Sequence, residues 1–155
     1  AMAVITDAGD PKDIHPKRKQ PVGARLALAA LAMTYGKDLV SSGPIYDSMS
    51  IDGDKAVLRF KSIGGGLELR DDLERISEAN PMAGFTIAGE DKRFVAAKVH
   101  VVGDSLVVSS EKVARPVAVR YGWADVPAPL LWNKDGLPAS PFRTDDFPGI
   151  TQPKK

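Results

Sequence analysis

Apolar residues recur along this chain in two rhythms, and the rhythm changes near residue 40. Residues 2–6 (Met-Ala-Val-Ile-Thr) form a short apolar run that reads as a buried strand. A polar loop rich in Asp, Gly and Pro follows, from Asp7 to Pro16. The next segment has helical spacing: Val22, Leu26, Ala29, Ala30 and Met33 share one face, and Leu28, Leu31 and Tyr35 widen it. Pro21 suits the first turn, where a missing N–H costs nothing, and Gly36 suits a left-handed stop. The pattern predicts a helix over about Pro21 to Tyr35. Leu and Ala cover so much of its circumference that burial on more than one side is expected. A strand, a loop and a buried helix in that order are a piece of an α/β layer.

Past a linker from Lys37 to Pro44, the period drops to two. Short β-prone runs divided by turns predict strands over 45–51, 55–62, 66–70, 84–88, 94–102, 105–110, 116–122 and 129–132. Strands at this spacing predict an antiparallel β-sandwich. Trp132 to Lys155, rich in proline, reads as an extended tail packed against it. The expected fold is therefore α/β plus β, divided into residues 1–40 and 41–155.

Composition narrows the function classes. At 155 residues, with 43% hydrophobic and 26% charged residues, the chain has material for a packed core. Its 21 Lys and Arg against 20 Asp and Glu leave a net charge of +1, which gives no basic footprint for nucleic acid. No run approaches the roughly 20 apolar residues of a membrane helix. The absence of cysteine excludes disulfides and thiolate metal sites.

Two serine and histidine motifs compete for attention. Gly103-Asp104-Ser105-Leu106 carries the G-D-S-L signature of an esterase nucleophile. Yet the segment 51–58 has the same shape as 101–108: an apolar run, a Gly-Asp turn and a second apolar run, with no serine in the first copy. Both read as hairpins, and Ser105 as a turn residue rather than a nucleophile. Gly64-Gly65-Gly66 lacks the Lys-Ser/Thr and helix of a phosphate cradle and reads as a bend.

Of the two histidines, His100 lies inside an alternating strand and reads as a sheet residue. His15 lies in the polar loop beside Asp13, with Asp10 and Asp7 upstream. A loop after an α/β strand is where such folds carry their chemistry. An imidazole held there by a carboxylate is the base of a serine hydrolase, the carboxylate fixing its tautomer and stabilising the imidazolium. Loops with Asp and His are also common on ordinary surfaces, so spacing alone leaves both readings open. Arg120, Tyr121, Trp123 and Trp132 can likewise be read as a sugar-stacking face or as core and seam residues.

Three blocks change the balance. Ile14-His15-Pro16, within Met2 to Gln20, is joined by Arg120-Tyr121-Gly122-Trp123 and by Pro141-Phe142-Arg143-Thr144-Asp145. Together they resemble the sialate O-acetylesterases, members of the SGNH hydrolase superfamily, and the similarity extends over nearly the whole chain. The resemblance implies that His15 is the catalytic histidine. The superfamily usually has Asp three residues before it; that position is Lys12 here, so Asp13 is the expected acid and Asp10 the alternative. It further implies that residues 1–40 close an SGNH three-layer α/β hydrolase domain and that residues 41–155 are an accessory β-sandwich. The nucleophilic serine and oxyanion donors would belong to an N-terminal remainder, a partner without which this chain is expected to be inactive. The implied substrate is an acetylated sugar, with no metal or organic cofactor, no nucleic acid and no membrane. A secreted, periplasmic or lysosomal location would fit the family. The competing expectation is a non-catalytic carbohydrate-binding or structural β module.

Overall fold

A computed structural model describes residues 2–10, 12–15, 17–70 and 82–149. Pro16 of the Ile-His-Pro block and residues 150–155 of the expected tail lie outside the described residues. Among the described residues the chain runs from one helix, α1 (Gln20–Met33), into antiparallel strands. These are β1 (Ile45–Asp52), β2 (Lys55–Lys61), β3 (Leu67–Leu69), β4 (Phe85–Ala88), β5 (Val95–Ala96), β6 (Lys98–Val102), β7 (Ser105–Ser109), β8 (Ala118–Tyr121), β9 (Leu131–Asn133) and β10 (Phe142–Arg143).

One four-stranded sheet has the order β1-β2-β7-β6, a second β10-β8-β4-β5, and β3 pairs with β9 in a short ribbon. Alternation sets the inner face of the first sheet. Ala56 and Leu58 of β2, and Leu106 and Val108 of β7, point inward while Lys55 and Arg59 face water. The second sheet contributes Phe85, Ile87, Val119, Tyr121 and Phe142, and the ribbon Leu67 and Leu131, to one continuous core. Phe142 sits among Tyr46, Phe60, Phe85 and Tyr121, its ring 4.9 Å from that of Tyr46 and 5.7 Å from that of Tyr121.

Both Gly-Asp pairs close two-residue hairpins. Gly53 (φ 58) joins Asp52 to its partner Lys55, and Gly103 (φ 57) joins Val102 to Ser105. A glycine at positive φ in the first central position matches the twist of the flanking strands.

The apolar run 94–102 is one stretch in the sequence and two strands in the fold. β5 pairs with β4 in the second sheet, whereas β6 pairs with β7 in the first. Between them, the Ala97 N–H donates to the Phe85 carbonyl at 3.0 Å. Periodicity reports a run's two faces but not a change of partner along it.

The segment 37–44 is bound to the body rather than free. Asn133, fully buried, donates from Nδ2 to the Ser42 carbonyl at 3.1 Å and accepts the Leu137 N–H at 2.9 Å. Gly43 presses against the backbone of Leu137 and Pro138, where a Cβ would overlap the Pro138 carbonyl. The Gly43→Ala variant is expected to lose about 2 kcal/mol or more, because backbone stands in the way and no side chain can yield. A urea unfolding midpoint equal to wild type would contradict this account of the seam.

Two expectations are corrected. No strand forms over residues 2–6: the segment is irregular and enters a turn at Thr6. Nor is α1 covered on several sides. Arg25 and Ala29 are its buried residues, while Leu26, Met33 and Tyr35 are 52%, 69% and 70% exposed. Hydrophobic spacing records which face a helix wants to bury, and this chain covers only part of it.

Candidate functional site

The loop that carries His15 starts from a buried base. Arg25 lies at the centre of the inner stripe of α1, flanked by the half-buried Val22 and Ala32 and the buried Ala29. Its guanidinium grips the Asp7 carboxylate bidentately, Nη1–Oδ1 2.5 Å and Nη2–Oδ2 2.9 Å, with both side chains about nine-tenths buried. Nη1 also donates to the Val4 carbonyl at 2.8 Å. The Asp7 carbonyl in turn accepts from Arg18 Nη1 at 3.1 Å, so the two ends of the loop are tied together. Helix α1 starts two residues after Arg18 and ends at Met33; beyond it Gly36 (φ 62) turns the chain, and the Lys37 N–H closes back on the Leu31 carbonyl at 3.0 Å.

Outside that base the loop is in water. His15 has an 83% exposed side chain, and its Nδ1 lies 3.4 Å from Asp13 Oδ1. The same carboxylate oxygen accepts the His15 backbone N–H at 2.8 Å, a local turn of the kind Asp makes with the second residue along. Asp13 and His15 are thus brought close to one another. The Nδ1 contact is longer than an ordinary hydrogen bond, and it would shorten if the ring took a charge. Asp10 is occupied differently: its Oδ1 accepts the Lys12 N–H at 2.9 Å and its carbonyl the Asp13 N–H at 3.4 Å. It shapes the turn on which Asp13 stands.

The segment 2–6 runs between two open grooves. On one side Val4, Thr6 and Asp10 face Asp125, Val126, Pro127 and Pro141 across a volume of about 400 Å³. On the other, Met2 and Val4 face Ala29, Met33 and Ile45 across about 310 Å³. Both are lined mainly by apolar atoms.

Other candidates separate cleanly. Ser105 begins β7 opposite Val102 and Arg59, a hairpin residue in the sheet. His100 is exposed on the outer strand β6, paired with Val107. Gly64 and Gly65 form a bend in which the Gly65 N–H donates to Asp135 Oδ2 at 2.8 Å. Of the aromatic set, Tyr121 is core: burial pushes its hydroxyl up to about 12, and that oxygen accepts the Leu131 N–H at 3.1 Å. Trp132 is a seam residue, with the Arg70 guanidinium 4.3 Å and the Arg25 guanidinium 5.8 Å from its ring centre. Trp123 is 52% exposed. Arg120 is locked by Asp145, through two bonds of 2.8 Å. Among the described residues, no group of three or more His, Asp or Glu side chains is arranged to hold a metal ion. No described helix is long and apolar enough to cross a membrane.

The Asp7–Arg25 clamp escaped the sequence reading. The signal available was an arginine placed at i+3 from Val22 and i−4 from Ala29, a charge in the middle of an apolar stripe.

Comparison with known proteins bears on the same segments. The chain is 29% identical to the sialate O-acetylesterase of Homo sapiens over 164 residues, taking in 96% of this chain and 30% of that protein. The sialate O-acetylesterase of Pongo abelii matches to the same extent. The crystal structure of a carbohydrate acetylesterase from Xanthomonas citri is similar with a TM-score of 0.82 and 49% identity, over 94% of this chain and 32% of that one. No family model matches the chain. The chain therefore spans about a third of the length of the relatives it matches. The resemblance to carbohydrate acetylesterases of the sialate O-acetylesterase kind extends over nearly all of the chain.

Proposed function

We propose that this chain is the part of a carbohydrate O-acetylesterase that supplies the proton-transferring histidine, His15, oriented by Asp13. The nucleophilic serine and the oxyanion donors come from another part of the enzyme, which the resemblance assigns to a region N-terminal to this one. The observation that carries the reading is an imidazole open to its surroundings with a carboxylate 3.4 Å from Nδ1, on a loop whose base is buried.

In that enzyme the serine Oγ attacks the acetyl carbonyl as the ring of His15 accepts its proton, and Asp13 stabilises the imidazolium. The tetrahedral oxyanion is held by the donors of the other part. Collapse expels the sugar hydroxyl, which takes the proton from His15 and leaves an acetyl-serine. A water, deprotonated by His15, then attacks that ester; acetate leaves and the serine regains its proton. The balance requires neither metal nor organic cofactor.

The grooves on either side of residues 2–6, and the uncovered Leu26, Met33 and Tyr35, support a second body packed there. In this reading residues 2–6 become an inner strand of an SGNH-type α/β layer, and residues 41–155 form a β-sandwich accessory domain. The alternative, a free carbohydrate-binding β module, draws on the exposed Trp123, but Tyr121 and Trp132 are committed to core and seam.

The test is complementation. The chain alone is expected to leave p-nitrophenyl acetate and acetylated sialic acid intact, and joining it to the serine-bearing region is expected to produce acetate release. No gain on joining, together with glycan binding by the isolated chain, would transfer the assignment to the binding module.

A further inference from the structure

The clamp at the base of the histidine loop has no counterpart in the chemistry of the proposed reaction. A bidentate Arg–Asp pair this far from water is an expensive way to gain stability: an apolar pair of the same volume would hold the fold equally well or better. Its geometry is better suited to fixing a direction. The planar fork sets two bonds at once, and here a third goes to the Val4 carbonyl, so the position of Asp7 is defined against both α1 and the segment before it. Arg25 also lies beside the Trp132 ring, which Arg70 covers as well, and so links α1 to strand β9 of the body. Arg18 then ties the far end of the loop to the Asp7 carbonyl. Between these ties Asp10, Lys12, Asp13, Ile14 and His15 are all exposed.

We propose that Asp7 and Arg25 are positioning residues that hold the loop so that Asp13 and His15 meet in a fixed orientation. The inference rests on the reading of His15 as the proton acceptor. Arg25 touches neither the ring nor any reacting atom; it acts through Asp7 and the ends of the loop.

The experiment reads the ring directly, without turnover. In the isotope-labelled chain, the two imidazoles give separate Cε1–Hε1 resonances, identified by a His15→Gln variant. Arg25→Lys keeps the charge and loses the fork; Arg25→Met keeps much of the volume and loses both. In each, the His15 resonance is expected to shift and to sharpen towards that of a free histidine, while His100, on the far sheet, and the amides of β2 and β7 stay where they are. The melting temperature of Arg25→Met is expected to fall, because the buried Asp7 carboxylate loses its partner; a displaced His15 signal while the β2 and β7 amides stay in place is the signature of positioning. An unmoved His15 resonance in both variants would overturn the proposal. So would loss of the β2 and β7 amides along with it, which would make the pair a support of the whole fold.

In the complemented esterase, Arg25→Lys is expected to lower kcat roughly tenfold or more at an unchanged KM, as a misplaced base does. The two readings fail separately. Activity retained by His15→Ala removes the catalytic assignment and leaves the ring's dependence on Arg25 intact; an indifferent ring removes the clamp and leaves the assignment standing.

Discussion

Replacing His15 by alanine in the complemented esterase should reduce kcat/KM by about a thousandfold or more while leaving the melting temperature unchanged. The size follows from the role. Without a base the serine stays protonated, and only binding and the oxyanion donors still accelerate the reaction. The unchanged melting temperature follows from the structure, because a side chain 83% exposed contributes little to the core. The acid can be separated in the same assay. Asp13→Asn removes the charge 3.4 Å from Nδ1 and should lower kcat steeply. Asp10→Asn should lower it far less, because Asp10 is spent on the Lys12 N–H and its role is to shape the turn. Ser105→Ala should change nothing, as a residue of the β6–β7 hairpin. Equal losses for Asp10→Asn and Asp13→Asn would reopen the choice of acid, and a loss for Ser105→Ala would contradict the hairpin reading.

What was legible in the sequence depended on where the information sits. The hairpins at Gly53 and Gly103 were readable because turn chemistry and alternation are local. The strands around them, expected over 45–51, 55–62 and 105–110, came out within one residue of their observed ends, whereas β10 was not among the strands expected. The switch at Ala97 was not, since one apolar run serves two sheets and the decision is made by Phe85, far away in sequence. The end of the chain held more than its composition suggested. Phe142 lies in the aromatic core and Ala139 is fully buried, where their proline-rich setting reads as an extended tail packed on the body. The strand expected over residues 2–6 failed for a different reason. A ladder needs a neighbour, and an apolar run cannot say whether its neighbour is in the same chain.

The candidate site divides in a similar way. Asp13 beside His15 was legible because a side chain reaching two residues along is a local bond. The resemblance to an esterase block is the ground for proposing a catalytic purpose for that contact. Asp7 and Arg25 were not legible as a pair, since a helical arginine is normally assigned to the solvent face. Only the fold turns that face inward against Trp132. The sugar-stacking face lost two of its members for the same reason: burial of Tyr121 and Trp132 is decided by strand direction, not by residue type.

Asp145→Ala should cost about 3 to 5 kcal/mol at neutral pH, the largest loss expected from any single surface-to-seam contact described here. Asp145 has a side chain only 1% exposed and accepts two charge-assisted bonds of 2.8 Å from Arg120. It also accepts the Phe147 N–H at 3.1 Å and lies 3.8 Å from Arg143. Arg120 Cζ lies over the Phe94 ring, 4.0 Å from its centre, so removing the carboxylate leaves a guanidinium stranded in a half-apolar setting. It also releases the segment after β10 from β8. The Arg120 bonds draw the Asp145 carboxyl below the usual carboxylate range, and the same contact raises Arg120. A carboxylate depressed in the native state stabilises fully above its unfolded value and loses that contribution as the pH falls through its native one. Each pH unit below about 4 should therefore shrink the gap between wild type and Asp145→Ala by roughly 1.4 kcal/mol, until the depressed value is reached. Urea midpoints taken at pH 7, 4 and 3 measure this. A gap that stays constant across the three would mean that Asp145 holds β8 and β10 together by shape alone, and that its charge contributes nothing.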